Sequence, residues 1–264
     1  MDASSYWAKT LPCETAIEAG LRFGDIGTHT SRTIMLRELT DLLAELPVDA
    51  AREEYPTVVI NENLLGKPTT ATRKLTYQRL SELYGLDVKI PIFRILRRLW
   101  ELDEKGRPLL AVLCALGRDP LLRATAPTVL SLGVGEELVR QVYLGNIKQA
   151  TGERFNDSTL DAVARNSGSS WSQSGHLEGR VRKIRKTVEP TPYTVAYALW
   201  IGSQFLLTGE ELFKTPWVKV LDRDQHELHE LTLRAKQLRL VDANIGGGII
   251  EINPSCIDLV TGVT

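Results

Sequence analysis

Apolar residues along this chain recur mainly at the three- and four-residue spacing of an α-helix. Tyr77, Leu80 and Leu83 lie on one helical face, after threonines suited to an N-cap and before Gly85. Residues 57–65 fit a strand or a helix, and we favour a helix. The pattern predicts further helices over residues 14–23, 30–46, 70–84, 90–102, 108–116, 120–132, 136–149, 193–207 and 227–238, of which 193–207 is apolar on nearly every face and is predicted to lie in the core.

The pattern changes near the C-terminus. Residues 238–241 and 249–252 are rich in aliphatic residues on either side of a glycine-rich turn, which predicts a β-hairpin. A core helix, short helices, a final helix and a hairpin, in that order, are typical of a winged-helix module. We therefore predict a mainly α protein with two helical domains, 1–153 and 154–264, the C-terminal one winged-helix-like with a small β-hairpin.

Residues 157–188 are predicted to form a helix-turn-helix. Ser158 is suited to cap a short helix, and residues 166–169 are turn formers. A second helix is predicted from an apolar stripe at i, i+4, i+7 and i+11, formed by Leu177, Val181, Ile184 and Val188. Its other faces are cationic, so the segment has the pattern of a DNA reader.

Charge is segregated along the chain, although the formal net charge is only −1. A first basic block, residues 70–123, holds 11 Lys and Arg against 6 Asp and Glu, and a second basic block, residues 154–187, holds 7 against 3. The remaining segments are acidic overall. Because clustered cations neutralise phosphates, the two blocks predict binding of double-stranded DNA.

Phosphate contact is assigned to the cations of both blocks, which would position a duplex without reading its sequence. The first block supplies Arg73, Lys74, Arg79, Arg94, Arg97 and Arg98. The second supplies Arg180, Arg182, Lys183, Arg185 and Lys186, with Ser170, Ser172 and Gln173 as hydrogen-bond donors nearby. Trp171 is predicted to anchor its helix in the core, because a duplex rarely offers an unstacked base. Arg234, Lys236 and the turn near Asn244 are secondary candidates.

Motifs for catalysis or metal binding are weak. The serines before His176 do not form a nucleophile elbow, and His226 and His229 are one residue too close for a zincin motif. No apolar leader and no run of ~20 apolar residues is present. The three cysteines lack the paired spacing of a zinc site or disulfide framework: Cys13, Cys114 and Cys256. We predict a cytoplasmic protein that is not an enzyme and uses no cofactor or metal.

One short segment carries a family resemblance. The run Glu62–Leu65, then Lys67, then Thr69–Lys74 and a helix ending near Leu83 resembles the N-terminal signature of the BrxA family. These are small, mostly helical proteins of the BREX bacteriophage-defence systems. The later segment HLEGRVRKIRKT, followed by an apolar helix, is similar to the basic C-terminal part of that family. The resemblance implies a non-enzymatic component that binds double-stranded DNA beside methyltransferase, ATPase and phosphatase-like partners.

The sequence therefore predicts a DNA-binding component of an antiviral defence system. Two alternatives remain open. The cations could instead hold an acidic partner protein, in a protein–protein scaffold subunit of a larger complex. A winged-helix transcription regulator is the other alternative, and it would show a sharp preference for one operator.

Overall fold

A computed structural model describes residues 6–7, 10–247 and 249–261. This part of the chain is mainly helical, with small antiparallel sheets. Its first half contains α1 Glu14–Glu18, a 3-10 turn Thr28–Thr30, α2 Leu36–Glu45, α3 Glu54–Pro56 with a π-helical turn Thr57–Asn61, α4 Thr70–Tyr84, α5 Pro91–Leu102, α6 Arg107–Arg118 and α7 Pro120–Leu130. Its second half contains α8 Arg140–Thr151, a 3-10 turn Gly152–Arg154, α9 Asp157–Gln173, β1 Leu177–Glu178, β2 Ile184–Arg185, α10 Pro192–Ser203, α11 Glu210–Phe213, α12 Pro216–Lys219, α13 Gln225–Gln237, β3 Asp242–Gly246, β4 Ile249–Asn253 and α14 Cys256–Thr261.

The long helices begin and end at residues that favour helix termini. The hydroxyl of Thr69 accepts a hydrogen bond from the backbone N–H of Thr72 and caps α4, which Gly85 ends at a φ of 98°. Pro91 opens α5, where its missing N–H has no helical partner to lose. The helices predicted at 70–84, 90–102 and 227–238 are therefore confirmed, with small differences at their ends.

The centre of the protein is built around α6 and α10. All residues from Leu109 to Arg118 and from Thr194 to Gly202 are buried. α10 packs against α5, α6, α12 and α13, so side chains from both halves of the chain form one continuous core. The central helix predicted within 193–207 is confirmed. The division into domains at residue 153 stays a prediction.

Three helices and a small sheet pack together between residues 120 and 188. α7, α8 and α9 contact one another. β2 pairs on one edge with β1, and its other edge is hydrogen-bonded to the segment 135–138. There the N–H of Leu138 donates to the carbonyl of Lys183 at 2.8 Å. The order along the chain is therefore helix, a segment bridged to β2 at Glu137, helix, helix, strand, strand.

The helix-turn-helix predicted for residues 157–188 is wrong, because its turn lies inside a helix and its second helix is absent from this segment. Residues 166–169 lie inside α9, whose N-cap is Asn156 rather than Ser158. The predicted cationic helix over 177–188 is instead the β1–β2 hairpin and extended chain. Within α9 the serine hydroxyls bond to carbonyls four residues earlier, as Ser170 does to Asn166 at 2.9 Å, so these serines are accommodated inside the helix instead of forming the predicted turn.

The C-terminal hairpin predicted from the glycine-rich turn is confirmed, although its first strand begins at Asp242, after the aliphatic run 238–241 from which it was predicted. β3 and β4 pair antiparallel from Asp242↔Asn253 to Gly246↔Ile249. β3 lies against α13, where the ammonium of Lys236 donates to the carbonyl of Ala243 at 2.6 Å. None of the helices within the described ranges combines the length and apolar content needed to cross a bilayer.

Candidate nucleic-acid interface

One face of α9 packs against α7 and α8. It contains Leu160, Val163 and Trp171, all buried. The indole Nε1 of Trp171 donates to the hydroxyl of Thr125 at 2.8 Å, which confirms the predicted core role of this tryptophan. These contacts determine the rotation of α9 about its axis and therefore which of its residues reach solvent.

A second face of α9 holds the N-terminal segment around residues 28–36. The hydroxyl of Ser170 accepts a hydrogen bond from the N–H of Ile34 at 2.9 Å. The amide of Gln173 accepts one from the N–H of Leu36 at 3.1 Å. Ser170 and Gln173, predicted to contact phosphate, therefore hold this segment on α9. Ser170 is fully buried and faces away from solvent.

The third face of α9, which we call the open face, is at least partly exposed along its length and is contacted by Lys183 near its C-terminal end. Its members lie four and three residues apart, none of them is buried, and four of the five are small: Ser158, Ala162, Arg165, Ser169 and Ser172. Asp161 lies at its edge and pairs with both Arg140 and Arg165. A narrow, polar ridge of this kind allows close approach of a second surface.

A cationic loop lies beside the open face. The hairpin loop, residues 179–183, joins β1 to β2 and reads Gly-Arg-Val-Arg-Lys. Gly179 has a φ of 101°, and a Cβ there would overlap the carbonyl oxygen of Arg182. Only glycine fits this turn without distortion, so the loop has a well-defined shape.

Lys183 connects the hairpin loop to the open face. Its ammonium donates to the hydroxyl of Ser172 at 2.9 Å, and its alkyl chain crosses α9 at Gly168. Partial burial lowers the pKa of this ammonium. The loop and the open face therefore form one surface.

Arg185 has a structural position at the base of the hairpin. It is 1 % exposed and its guanidinium pairs with Asp222 at 2.7 Å. Further donors of the guanidinium reach the carbonyls of His176 and Lys186. Arg185 was predicted to contact DNA, but in this fold its donors are directed into the protein.

The remaining predicted cations of the second basic block are exposed. Arg182 is 75 % exposed and pairs with Glu137 at 2.6 Å, while Lys186 pairs with Glu178 at 3.0 Å. Arg180 forms no ion pair with any residue that the structure describes. These cations lie on the hairpin and not on the helix that the sequence predicted for them.

The first basic block contributes mostly to internal contacts. Arg97 is 1 % exposed and donates to the carbonyls of Leu43 and Leu46. Ion pairs and backbone carbonyls occupy three others: Arg94 pairs with Asp258, Arg79 with Glu82, and Arg73 donates to the carbonyls of Ile60 and Lys67. Lys74 is exposed on α4, and Arg98 is half-buried on α5. Sequence alone could not separate these cases, because burial depends on packing.

A network of Asp119, His29 and Ser170 lies beneath the open face. The imidazole Nδ1 of His29 lies 2.9 Å from Asp119 Oδ2, and Nε2 lies 2.8 Å from Ser170 Oγ. Burial alone would raise the pKa of Asp119, but His29 and hydrogen bonds from the backbone N–H groups of Leu122 and Thr28 hold it below its usual value.

This order of side chains is that of a nucleophilic triad, yet its environment indicates a structural role. Ser170 Oγ is also bonded to the N–H of Ile34 and the carbonyl of Asn166, and all three members of the network are buried. No space remains at Oγ for a substrate carbonyl. The network instead joins the cap of α7 to the middle of α9.

Sequence reasoning did not identify two features of this surface: Arg165 on the open face, and the segment 135–138 that is bonded to β2. The sequence carries one signal of the open face, which is the helical spacing of its members: Ser158, Ala162, Arg165, Ser169 and Ser172. Because four of these residues are small, the spacing is hard to distinguish from that of a buried helix face.

No protein-family model matches the chain, and no curated protein matches its sequence.

Proposed function

We propose that the protein binds double-stranded DNA through the open face of α9 and the adjacent hairpin loop. The single observation that supports this most strongly is the arrangement of residues 120–188. A helix, a segment bridged to β2 at Glu137, two further helices and a two-stranded hairpin follow one another, and the third helix has a polar face beside the hairpin loop. We interpret this order as similar to that of a winged helix, and the winged-helix-like unit predicted for residues 154–264 stays a prediction.

In this proposal α9 is the recognition helix. Its open face enters the major groove, where the small side chains of Ser158, Ala162 and Ser169 allow the helix to approach the base edges. The turn at 152–156 connects α8 to α9 as in a helix-turn-helix. α8 then lies across the backbone, and the hairpin loop lies at the neighbouring groove.

Electrostatic attraction comes from the cations around α9. Arg140 and Arg165 share the single carboxylate of Asp161, and Arg180 has no acidic partner among the described residues. Ion pairs this exposed contribute little to stability and can exchange their carboxylate for a phosphate. The cations of the loop, Arg180, Arg182 and Lys183, thus add electrostatic affinity for the duplex.

A salt titration tests the proposal. Binding of the full chain to a 30-base-pair duplex should weaken with salt at a slope of about −0.9 for each phosphate contact. The variant Arg165→Ala/Arg180→Ala/Arg182→Ala should flatten that slope by about 2 to 3. Three exposed cations elsewhere give the matched control: Arg37→Ala/Arg52→Ala/Lys105→Ala.

Two results would reject the proposal. One is the absence of duplex binding at low salt, where phosphate contacts are strongest. The other is an equal effect of the two triple variants, because a diffuse cationic surface would then be responsible. A sharp preference for one duplex sequence would favour the transcription regulator instead.

We further propose, on the resemblance to the BrxA family alone, that this DNA binding serves a BREX-like defence system. The expected partners are methyltransferase, ATPase and phosphatase-like subunits. Co-purification of such subunits with the tagged protein, after nuclease treatment, would support this assignment. Recovery of the protein without them would count against it and would leave DNA binding unaffected.

A protein-binding role is the second candidate. Val139 and Val142 lie one helical turn apart at the start of α8 and are 53 % and 57 % exposed. Their exposure favours a protein contact at this edge of the small sheet. Replacement of both by serine should abolish capture of a partner subunit and leave duplex affinity unchanged.

A further inference from the structure

We infer that the hairpin loop enters the minor groove and that Val181 acts as an apolar wedge that bends the duplex. This inference rests on the proposed DNA binding and specifies how the hairpin loop takes part in it. The combination of shape, anchoring and composition in residues 179–183 supports it.

Val181 lies at the tip of the loop and is 92 % exposed. A single exposed apolar side chain is ordinary on a protein surface. The position of Val181 is less ordinary, because Arg180 and Arg182 flank it on a loop that contains no acidic residue. The two arginines attract the loop to phosphate. Burial of the Val181 side chain away from water would add a favourable hydrophobic contribution to the binding free energy.

The loop is anchored at its base, so its tip is pre-organised. β2 is held between β1 and residues 135–138, and Arg185 is buried against Asp222. Gly179 tightens the turn, and Lys183 attaches it to α9. Pre-organisation reduces the entropy lost on binding. A flexible loop without these anchors could bury its valine against the protein surface instead.

The minor groove suits this composition. Narrow, A·T-rich minor grooves have an enhanced negative potential that attracts arginine. Proteins that bind there often insert an apolar side chain between base steps and bend the duplex. With the open face of α9 in the major groove, a loop attached at Ser172 reaches the adjacent groove, and Val181 then meets the base stack.

Duplex bending gives the first test. A 30-base-pair duplex with a fluorophore at each end should show increased energy transfer when saturated with the full-length protein. Val181→Ser should bind but lose the increase, and Val181→Leu should retain it. Val142→Ser, the same change at an exposed valine on α8, is the matched control and should bend DNA as the wild type does.

Groove identity gives the second test. An inosine·cytosine pair has the minor groove of A·T, because it lacks the guanine amino group, and the major groove of G·C. The affinity loss caused by Arg180→Ala should therefore be similar on alternating A·T and I·C duplexes and smaller on G·C.

The outcomes separate this inference from the proposed function. If the wild type binds the duplex without bending it, or Val181→Ser bends it equally, the wedge is rejected and DNA binding stands. A complete loss of binding in Val181→Ser also rejects the wedge. An equal effect of Arg180→Ala on all three duplexes rejects the minor groove and leaves a phosphate contact. Failure of the wild type to bind any duplex rejects both proposals.

Discussion

His29 Nε2 lies 2.8 Å from Ser170 Oγ, although 141 positions separate the two residues in the chain. The opposite ring nitrogen of His29 contacts Asp119 at the cap of α7. One imidazole thus links three segments that are distant in sequence and fixes the depth at which α9 lies. Residues outside the proposed interface therefore determine the position of the helix within it.

His29→Ala should lower the free energy of unfolding by about 3 kcal/mol, because Asp119 and Ser170 lose a buried partner. Urea denaturation measures this change. His226→Ala provides a control, since His226 is exposed, and should change stability by less than about 0.5 kcal/mol. Equal effects of the two variants would show that the network contributes nothing to stability.

Arg185 and Arg180 should have separable effects although only four residues lie between them. Arg185→Ala should cost about 3 kcal/mol of stability, because it leaves the base of the hairpin without its buried ion pair with Asp222. Arg180→Ala should leave thermal unfolding unchanged and weaken duplex binding. Melting curves and binding titrations on both variants test this, and the reverse pattern would contradict the assignment of the two arginines.

His176 should make the protein less stable in acid. Burial lowers its pKa to about 3 from 6.5, and the ring nitrogens lie 2.8 Å from Ser174 Oγ and the carbonyl of Val220. Above pH 6.5 the ring is neutral in the folded and unfolded chain alike. Between pH 6.5 and 3 the unfolded chain takes up a proton that the folded protein does not, so stability falls as pH falls, by about 2 kcal/mol at pH 5.

The His176→Gln variant isolates this effect. Its unfolding free energy should vary less with pH between 6.5 and 4.5 than that of the wild type, since glutamine does not titrate. His226→Gln is the control, because His226 lies on the surface, and it should keep the wild-type pH dependence. An unchanged slope in His176→Gln would exclude His176 as its source.

Gly179→Ala should distort the hairpin loop. Its backbone has a φ of 101° and a Cβ there would overlap the carbonyl of Arg182, so we expect a loss of about 2 kcal/mol in stability together with weaker duplex binding. Gly24→Ala is the matched control, because Gly24 has a similar φ of 106° with open space around it. A cost in Gly179→Ala no larger than in Gly24→Ala would show that the overlap is relieved without distortion.

Much of the fold follows from local patterns in the sequence. Local signals specify three elements with little contribution from distant residues. They are the apolar stripe around Leu80 and Leu83 in α4, the proline that opens α5, and the glycine-rich turn of the β3–β4 hairpin. The all-apolar α10 could be assigned to the core for the same reason. The core position of Trp171 was also predicted correctly, on the argument that a duplex rarely offers an unstacked base to an indole.

The candidate interface could not be derived in this way. Leu177, Val181, Ile184 and Val188 have helical spacing, yet this segment pairs as strands. Two tertiary contacts stabilise the strands over the helix that the periodicity predicts. They are the backbone hydrogen bonds to residues 135–138 and the buried ion pair of Arg185 with Asp222. Val181, one member of the apparent stripe, is exposed and does not contribute to the core.

By itself, the sequence determined that this protein is mainly helical, where most helices begin and end, and which parts of the chain carry excess positive charge. Tertiary structure decided which of those charges meet solvent. A guanidinium is equally cationic at Arg97, Arg185 and Arg180, but the first two are held by partners brought from elsewhere in the chain, and only the third is exposed. Charge is a property of the residue, whereas exposure arises only when distant segments pack together.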